Sequence, residues 1–223
     1  MILKDNYISI IDKCKNNNIN NKYNEYIKQL SSIEDLPNLI IYGPPGIGKY
    51  SEALKIIEKF SPSKLKYEKK MIISSYKYEH IIKISDIHYE INLENLTCNS
   101  KILFNDIYNN IVDVIQTNKN KTGIILCKNF HEASNEILEF FYSYMQKDIM
   151  NNISIKFIII SDHISFISKN IIDICKILYY SKLSYSNYIK LANIHNKKIL
   201  SNKKNINSNF VYNIQSINTL KYI

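Results

Sequence analysis

Residues 36–51 read LPNLIIYGPPGIGKYS and carry the strongest signal for the fold of this chain. The apolar run at residues 39–42 follows a proline and ends on a glycine, which is the pattern of a buried strand. The segment after Gly48 predicts a helix that extends to about Phe60. The sequence therefore predicts a strand, a glycine-rich turn and a helix in direct succession.

The turn GPPGIGK fits the GxxxxGK core of a phosphate-binding loop, and it lies in the strand-to-helix context that this motif requires. Three of the four glycines of the chain lie in it. Such glycines let main-chain amides turn inward around a phosphate, and the start of the following helix adds partial positive charge. We therefore predict that Lys49 reaches the β and γ phosphates of bound ATP or ADP. The predicted nucleotide-binding residues are Gly43, Pro44, Pro45, Gly46, Ile47, Gly48, Lys49, Tyr50 and Ser51.

The residue after Lys49 departs from the motif. Phosphate-binding loops carry Ser or Thr there, whose small hydroxyl ligates Mg²⁺, whereas this chain has Tyr50. Ser51 would substitute only after a local shift, because its side chain points about 100° further around the helix. The sequence therefore leaves Mg²⁺ binding open, and it predicts no separate cluster of metal ligands.

Short apolar runs alternate with amphipathic segments along the rest of the chain. Strands are predicted at residues 123–127, 156–161 and 177–180, with one or two more between residues 71 and 93. Helices are predicted within residues 7–32, over residues 100–117 and after the N-cap residue Ser134. The buried face of the helix at residues 100–117 is expected to contain Leu103, Ile107, Ile111 and Val114.

Buried strands that alternate with helices predict an α/β fold in which helices cover both faces of a parallel sheet. We assign residues 1–183 to this domain. Residues 184–223 lose most of their apolar periodicity and gain lysines among asparagines, so they are either a partial helical lid or a basic tail.

All of the basic charge of the chain comes from lysine. The 223 residues include 29 lysines and no arginine, and the net charge is +9. A basic surface fits DNA or another polyanion as a partner, and it fits a merely solvated lysine surface equally well. The abundance of lysine, isoleucine, asparagine and tyrosine is typical of AT-rich coding sequences, including viral ones.

The sequence also bears on the cellular compartment. The four cysteines are too far apart for CxxC metal pairs, and no secretory signal opens the chain. Its apolar runs are far shorter than the roughly 20 residues of a membrane helix. We expect an intracellular protein without a membrane partner, located in the nucleus or cytoplasm or, if viral, at the replication site in the host cell.

Three segments, in order, resemble the AAA+ clamp-loader family, which includes the small subunits of replication factor C and the bacterial delta-prime subunit. They are LPNLIIYGPPGIGKYS, ISDIHYEINLENL and FIIISDHISFISKNIIDICKILYYSKLS. The resemblance covers roughly residues 20–190. It implies an AAA+ RecA-like P-loop domain that binds ATP within a sliding-clamp loading complex of DNA replication. Other clamp-loader-like subunits, and possible contacts with a sliding clamp and DNA, would be its partners.

The catalytic positions of that family are not retained. The acidic pair after the Walker B strand matches Cys127 and Lys128, and the sensor 1 asparagine matches Asp162. The arginine of the Ser-Arg-Cys motif, which reaches into the ATP site of a neighbouring subunit, matches Ile174. An arginine finger contributes on the order of 10³ to 10⁵ in rate. The resemblance therefore implies a degenerate subunit with weak or no ATP hydrolysis.

Two neighbouring residues are weaker candidates for catalysis. Glu132 would be a displaced substitute for the missing carboxylates, and His131 is expected to face solvent at the start of a helix. Two other functions stay open: an active P-loop enzyme such as a nucleotide kinase, and a nucleic-acid-binding adaptor that uses the lysine-rich carboxyl segment. Nucleotide kinases clamp the transferred phosphates with several arginines, which this chain lacks.

Overall fold

The computed structural model describes residues 6–17, 23–75, 78–96, 99–146 and 153–182. The helices are α1 (Tyr7–Asn17), α2 (Asn24–Gln29), α3 (Lys49–Phe60), α4 (Ser100–Thr117), α5 (Asn135–Gln146) and α6 (Lys169–Asp173). The strands are β1 (Asn38–Tyr42), β2 (Lys69–Ser75), β3 (Tyr78–Ile84), β4 (His88–Asn92), β5 (Thr122–Lys128), β6 (Ser154–Ser161) and β7 (Cys175–Tyr179). The proposed lid or tail at residues 184–223 lies outside the described residues.

The strands form one seven-stranded sheet in the order β2-β3-β4-β5-β6-β1-β7. Strands β4, β5, β6, β1 and β7 are parallel to one another, as the alternation of strands and helices predicted. Strands β2 and β3 form an antiparallel hairpin at one edge, and β3 pairs with β4 in antiparallel fashion. The predicted fold class is confirmed, with the hairpin as an addition.

Helices cover both faces of the sheet. On one face, α4, α5 and α6 pack on apolar side chains of β4, β5 and β6, including Phe157. On the other face, α1 and α3 pack on β1, β5 and β6, including Ile41. Burying one such side chain stabilises the fold by about 1.5–3 kcal/mol. Because side chains alternate along a strand, successive residues of β5 belong to different faces.

The structure corrects three details of the predicted elements. Residues 71–93 contribute to three strands rather than one or two, because the alternating apolar residues there form an antiparallel hairpin in addition to β4. Residues 7–32 contain two helices rather than one. On α4, Val114 is exposed and Ile115 is buried in its place, since the buried face continues in steps of four from Ile107 and Ile111.

The predicted N-cap of α5 is confirmed. The main-chain N–H of Ile137 donates a hydrogen bond to Ser134 Oγ at 3.3 Å, directly before the first residues of the helix. Among the residues that the structure describes, no helix is both long and apolar enough to cross a membrane.

The parallel strands bring four chain segments to the same side of the sheet, at the carboxyl ends of the strands. Tyr42 at the end of β1 is paired with Ser161 at the end of β6, and Asn92 at the end of β4 is paired with Lys128 at the end of β5. Ligands of open α/β sheets bind outside the carboxyl ends of the strands. The predicted phosphate loop, the Walker B positions and the sensor 1 position therefore lie along the same edge.

Candidate nucleotide-binding site

The loop between β1 and α3 has a backbone that requires glycine at two positions. Gly43 has a φ of 152°, and a Cβ atom there would lie 2.0 Å from the main-chain oxygen of Tyr180. That segment is held in place because the Tyr180 N–H donates a hydrogen bond to the Tyr42 carbonyl at 2.9 Å. Gly48 precedes α3 with a φ of 90°, a conformation that side chains rarely adopt. The turn therefore leaves main-chain groups uncovered by side chains directly before the N-terminus of α3.

Lys49 is buried at the first position of α3, with only 7% of its side chain exposed. Its Nζ donates hydrogen bonds to the carbonyl oxygens of Gly43 at 2.6 Å and Pro44 at 2.8 Å. A third bond, of 2.7 Å, joins Lys49 Nζ to Asp162 Oδ1. The structure therefore brings the predicted phosphate-binding lysine and the sensor 1 position together, as an ion pair. A bound phosphate would compete with Asp162 for this ammonium group.

Tyr50 directs its phenol toward the sheet. Its hydroxyl donates a 2.6 Å hydrogen bond to Glu90 Oε1, and Lys128 Nζ lies 4.6 Å from the centroid of its ring. Burial, followed by the negative charge of Glu90, raises the pKa of Tyr50 well above its ordinary value, so the phenol remains a proton donor. Ser51 is half-buried in the same first helical turn.

Glu90 is a buried carboxylate on β4, only 4% exposed. Besides the Tyr50 hydroxyl, it has His88 Nε2 at 3.4 Å and Lys128 Nζ at 3.3 Å. Burial by itself would raise the pKa of Glu90, but the contacts with His88, Lys128 and Tyr50 outweigh it and the pKa lies below its ordinary value. Glu90 is therefore an ionised carboxylate inside the protein, neutralised by its neighbours.

Helix α1 covers the inner side of this cluster. The ring of Tyr7 lies 5.0 Å from the ring of His88, and burial and then the charge of Glu90 raise the pKa of Tyr7. We use the term Glu90 cluster for Tyr7, Tyr50, His88, Glu90 and Lys128.

The two Walker B positions point to opposite faces of the sheet. Cys127 is fully buried among apolar side chains under α4 and α5, and burial raises the pKa of its thiol far above the ordinary value. Lys128 faces the other way, toward the Glu90 cluster. The alternation of side chains along β5 explains the difference. Neither residue supplies a carboxylate at the end of β5.

These residues do not fit the Mg²⁺ of a P-loop ATPase. Mg²⁺ requires oxygen ligands in octahedral geometry. The ligand position on α3 holds Tyr50, whose hydroxyl is bonded to Glu90, and the positions on β5 hold a buried thiol and an ammonium group. Glu90 itself is enclosed by the cluster, and Asp162 is bonded to Lys49. In the described part of the chain, no group of three or more His, Cys, Asp or Glu residues is arranged to hold a metal ion.

Comparisons with known proteins found similar solved structures at low sequence identity. No protein-family model and no curated protein matches the chain. One similar solved structure is the Thermotoga maritima RuvB Holliday junction branch migration motor, with a TM-score of 0.41 and 12% identity over 85% of this chain and 50% of that chain. A second Thermotoga maritima RuvB structure has a TM-score of 0.47 and 13% identity over 82% of this chain and 50% of that chain. The FIGL-1 AAA domain has a TM-score of 0.49 and 12% identity over 97% of this chain and 69% of that chain.

The chain has a P-loop NTPase fold. The parallel sheet, the glycine-dependent loop after β1 and the buried Lys49 at the start of α3 establish it. The chain spans 50% of the length of the RuvB structures.

Asp162 has a second partner on the side away from the P-loop. Its main-chain N–H donates to His131 Nδ1 at 3.3 Å, and its Oδ2 lies 3.7 Å from His131 Nε2. The expectation that His131 faces solvent is wrong, because only 17% of its side chain is exposed and its ring lies against Asp162, directly after β6. His131 belongs to the short 3-10 helix Phe130–Glu132. Glu132, the candidate displaced base, is 58% exposed and lies 3.7 Å from His131.

Ile174, at the arginine-finger position, lies far along the sheet from the P-loop. It directly precedes β7, whose first residue, Cys175, is paired with Asn38 at the start of β1. The P-loop follows the other end of β1, so Ile174 lies at the opposite edge of the sheet, where it is partly exposed. Burial raises the pKa of Cys175 to about 12.

Glu90 is the functional candidate that the sequence analysis missed. The strand around it reads IHYEINL, in which His88 and Glu90 alternate with apolar residues. Alternation of this kind usually indicates a strand with one face in solvent. Here both faces are covered, since His88, Tyr89, Glu90 and Ile91 are all buried. Charged residues in a strand that lies inside the sheet would have been the signal to look for a paired cluster.

Proposed function

We propose that this chain binds a nucleoside di- or triphosphate in its P-loop, hydrolyses it weakly or not at all, and serves as a non-catalytic subunit of a clamp-loader-like assembly in DNA replication. The observation that carries the nucleotide-binding part is the placement of Lys49, whose Nζ lies 2.6 and 2.8 Å from carbonyl oxygens of the loop. The backbone of the turn supports the same part, because glycine occupies the positions with positive φ.

The proposed weak or absent hydrolysis is supported by the groups at the end of β5. A general base must lie within hydrogen-bond reach of the attacking water, directly or through a second water. The two Walker B positions, where an ATPase has carboxylates, hold Cys127, a thiol buried in the core, and Lys128, an ammonium group bonded to Glu90. Neither group polarises water, and the chain contains no arginine to complete the site of a partner.

The assembly role rests on the ordered sequence resemblance to clamp-loader small subunits. In such an assembly this domain would bind nucleotide as a rigid piece, while other subunits supply hydrolysis. Its basic charge would favour contact with DNA. No arginine is available for a nucleotide-kinase mechanism, so we rank that alternative lower.

Nucleotide binding and hydrolysis are tested on the purified chain. Titration calorimetry with ATP and with ADP is expected to show saturable binding to one site, and a phosphate-release assay on the same preparation is expected to show no turnover above the background rate. Rapid turnover of ATP without a partner would contradict the proposal. Formation of ADP from AMP and ATP would favour the nucleotide kinase instead.

The assembly role needs a separate experiment. Affinity purification of the full chain from its native source, followed by identification of the co-purifying proteins, is expected to recover other clamp-loader-like subunits or a sliding clamp. Reconstitution from purified components with size-exclusion chromatography checks that the contact is direct. If none of these proteins is recovered, the assembly role is wrong and the nucleotide-binding part stands by itself. DNA binding that weakens steeply with salt and needs no protein partner would favour the nucleic-acid adaptor.

A further inference from the structure

Lys128 lies where its positive charge is close to the first turn of α3. Its Nζ is 4.6 Å from the centroid of the Tyr50 ring and 3.3 Å from Glu90 Oε2. Its side chain is 27% exposed, so the ammonium group is neither sealed in the core nor free on the surface. Lys128 thus contacts a buried carboxylate while part of its side chain stays exposed.

Tyr50 and Lys128 occupy the two positions from which a P-loop ATPase would hold its metal ion. The first follows the P-loop lysine, and the second belongs to the Walker B pair at the end of β5. The structure brings these two side chains into contact with each other. A positive charge therefore lies beside the residue that would ligate the metal ion, and the side chain of Lys128 supplies it.

The Glu90 cluster leaves Lys128 able to bind a further anion. An ammonium group has three donors, and the contact with Glu90 uses one of them. The charge of Glu90 is also shared with the Tyr50 hydroxyl and with His88 Nε2. The carboxylate therefore holds the lysine in position without occupying all of its hydrogen-bonding capacity.

We propose that the ammonium group of Lys128 takes the place of Mg²⁺, so that the site binds the phosphates of a nucleotide without a metal ion. Lys49 and Lys128 would approach the phosphate chain from α3 and from β5, and together they would supply two positive charges. This inference rests on the proposed nucleotide binding and adds to it the cation that the site uses. It also explains why the oxygen ligands of a metal are replaced at Tyr50, Cys127 and Lys128 together.

The test is a titration of the purified full chain with fluorescently labelled ADP, once with excess Mg²⁺ and once with EDTA. The Kd is expected to agree within about twofold between the two conditions, because the lysine is present in both. Binding that requires Mg²⁺ would overturn this inference and leave the proposed function intact. The absence of binding in both conditions would overturn both.

Two variants separate the binding role of Lys128 from its role as the counter-ion of Glu90. The E90Q variant removes the need for a counter-ion and keeps the lysine. The E90Q/K128M variant then lacks both charges, so no buried carboxylate is left unpaired. Its melting temperature is expected to match that of E90Q, while its Kd for labelled ADP in EDTA is about tenfold weaker. Equal affinity of the two variants would show that Lys128 is only a structural partner of Glu90, and would overturn the inference.

Discussion

The P-loop and the carboxyl end of β5 lie on the same side of the sheet, but they differ in how well their side chains match the pattern of a P-loop ATPase. The P-loop keeps a backbone that needs glycine at residues 43 and 48, and it keeps Lys49 inside the turn. The end of β5 has no carboxylate at the two Walker B positions, which hold Cys127 in the core and Lys128 bonded to Glu90. A P-loop holds phosphate through its main-chain shape and its lysine, whereas hydrolysis also needs carboxylates at the end of the neighbouring strand, so a chain can bind nucleotide without hydrolysing it.

At the end of β5, Lys128 belongs to the Glu90 cluster, a stable arrangement of paired side chains. Tyr50, His88 and Lys128 all contact one ionised carboxylate that is only 4% exposed. Breaking a buried charge pair by removing one partner typically costs about 3–5 kcal/mol, because the other charge is left uncompensated. These contacts therefore support one another, and replacing Lys128 alone would leave the Glu90 carboxylate without its charged partner.

The largest expected effect comes from a substitution in the P-loop. Lys49→Ala removes the ammonium group that the loop carbonyls hold, and the affinity for ADP is expected to fall roughly 10- to 100-fold, the effect of losing a charged hydrogen bond. Calorimetry measures it. Lys66→Ala, an exposed lysine in the loop before β2, is the matched control and should bind ADP as the wild type does. Unchanged affinity in Lys49→Ala would mean that the loop no longer binds phosphate.

A smaller effect is expected in the Glu90 cluster, where Tyr50→Phe removes the hydroxyl that donates to Glu90. His88 and Lys128 remain as partners of the carboxylate, so the free energy of unfolding is expected to fall by about 1–2 kcal/mol in chemical denaturation. Tyr67→Phe is the control, because it makes the same change at a tyrosine that is 64% exposed. If both variants are equally stable, the hydrogen bond in the Glu90 cluster contributes nothing.

Most of the fold was predictable because its signals are local. The run at residues 39–42, the glycines after it and the spacing of apolar residues on α4 each need only a short window of sequence. The antiparallel hairpin of β2 and β3 was harder to predict, since apolar alternation defines a strand but not its partner. Val114 shows a similar limit, because apolar steps of three and of four are both helical and only packing selects between them.

The candidate site was predictable where a motif defines it and unpredictable where distant residues meet. The motif gave Lys49, and the sequence resemblance gave Asp162, but their ion pair joins residues 113 positions apart. Glu90 contacts Tyr50 and Lys128 across 40 and 38 positions, and no spacing rule connects them. Such contacts follow from the order of strands in the sheet, which the sequence does not state.

The ion pair between Lys49 and Asp162 predicts a substitution near the P-loop that strengthens ADP binding instead of weakening it. Asp162→Asn keeps the size of the side chain and removes the charge that competes with phosphate for Lys49. The side chain of Asp162 is 26% exposed, so the pair is partly screened, and ADP is expected to bind roughly fivefold tighter, or by about 1 kcal/mol. Asp173→Asn removes the same charge from an exposed position at the opposite edge of the sheet and should have no such effect. Weaker binding in Asp162→Asn would mean that the carboxylate helps to hold the ligand.

The smallest expected effect is a pH dependence of stability that belongs to the Glu90 cluster. The pKa of Glu90 is lower in the folded chain than its ordinary value of 4.5. The folded chain therefore takes up this proton less readily than the unfolded chain, so the stabilisation is complete above pH 4.5 and is lost as the pH falls through the folded-state value. Glu90→Gln cannot titrate, and its free energy of unfolding should fall less steeply than that of the wild type when chemical denaturation is repeated below pH 5. Asp35 and Asp86, whose pKa values are also lowered, are present in both proteins, so the difference between the two curves isolates Glu90. Parallel curves would mean that the cluster does not hold Glu90 in its ionised form.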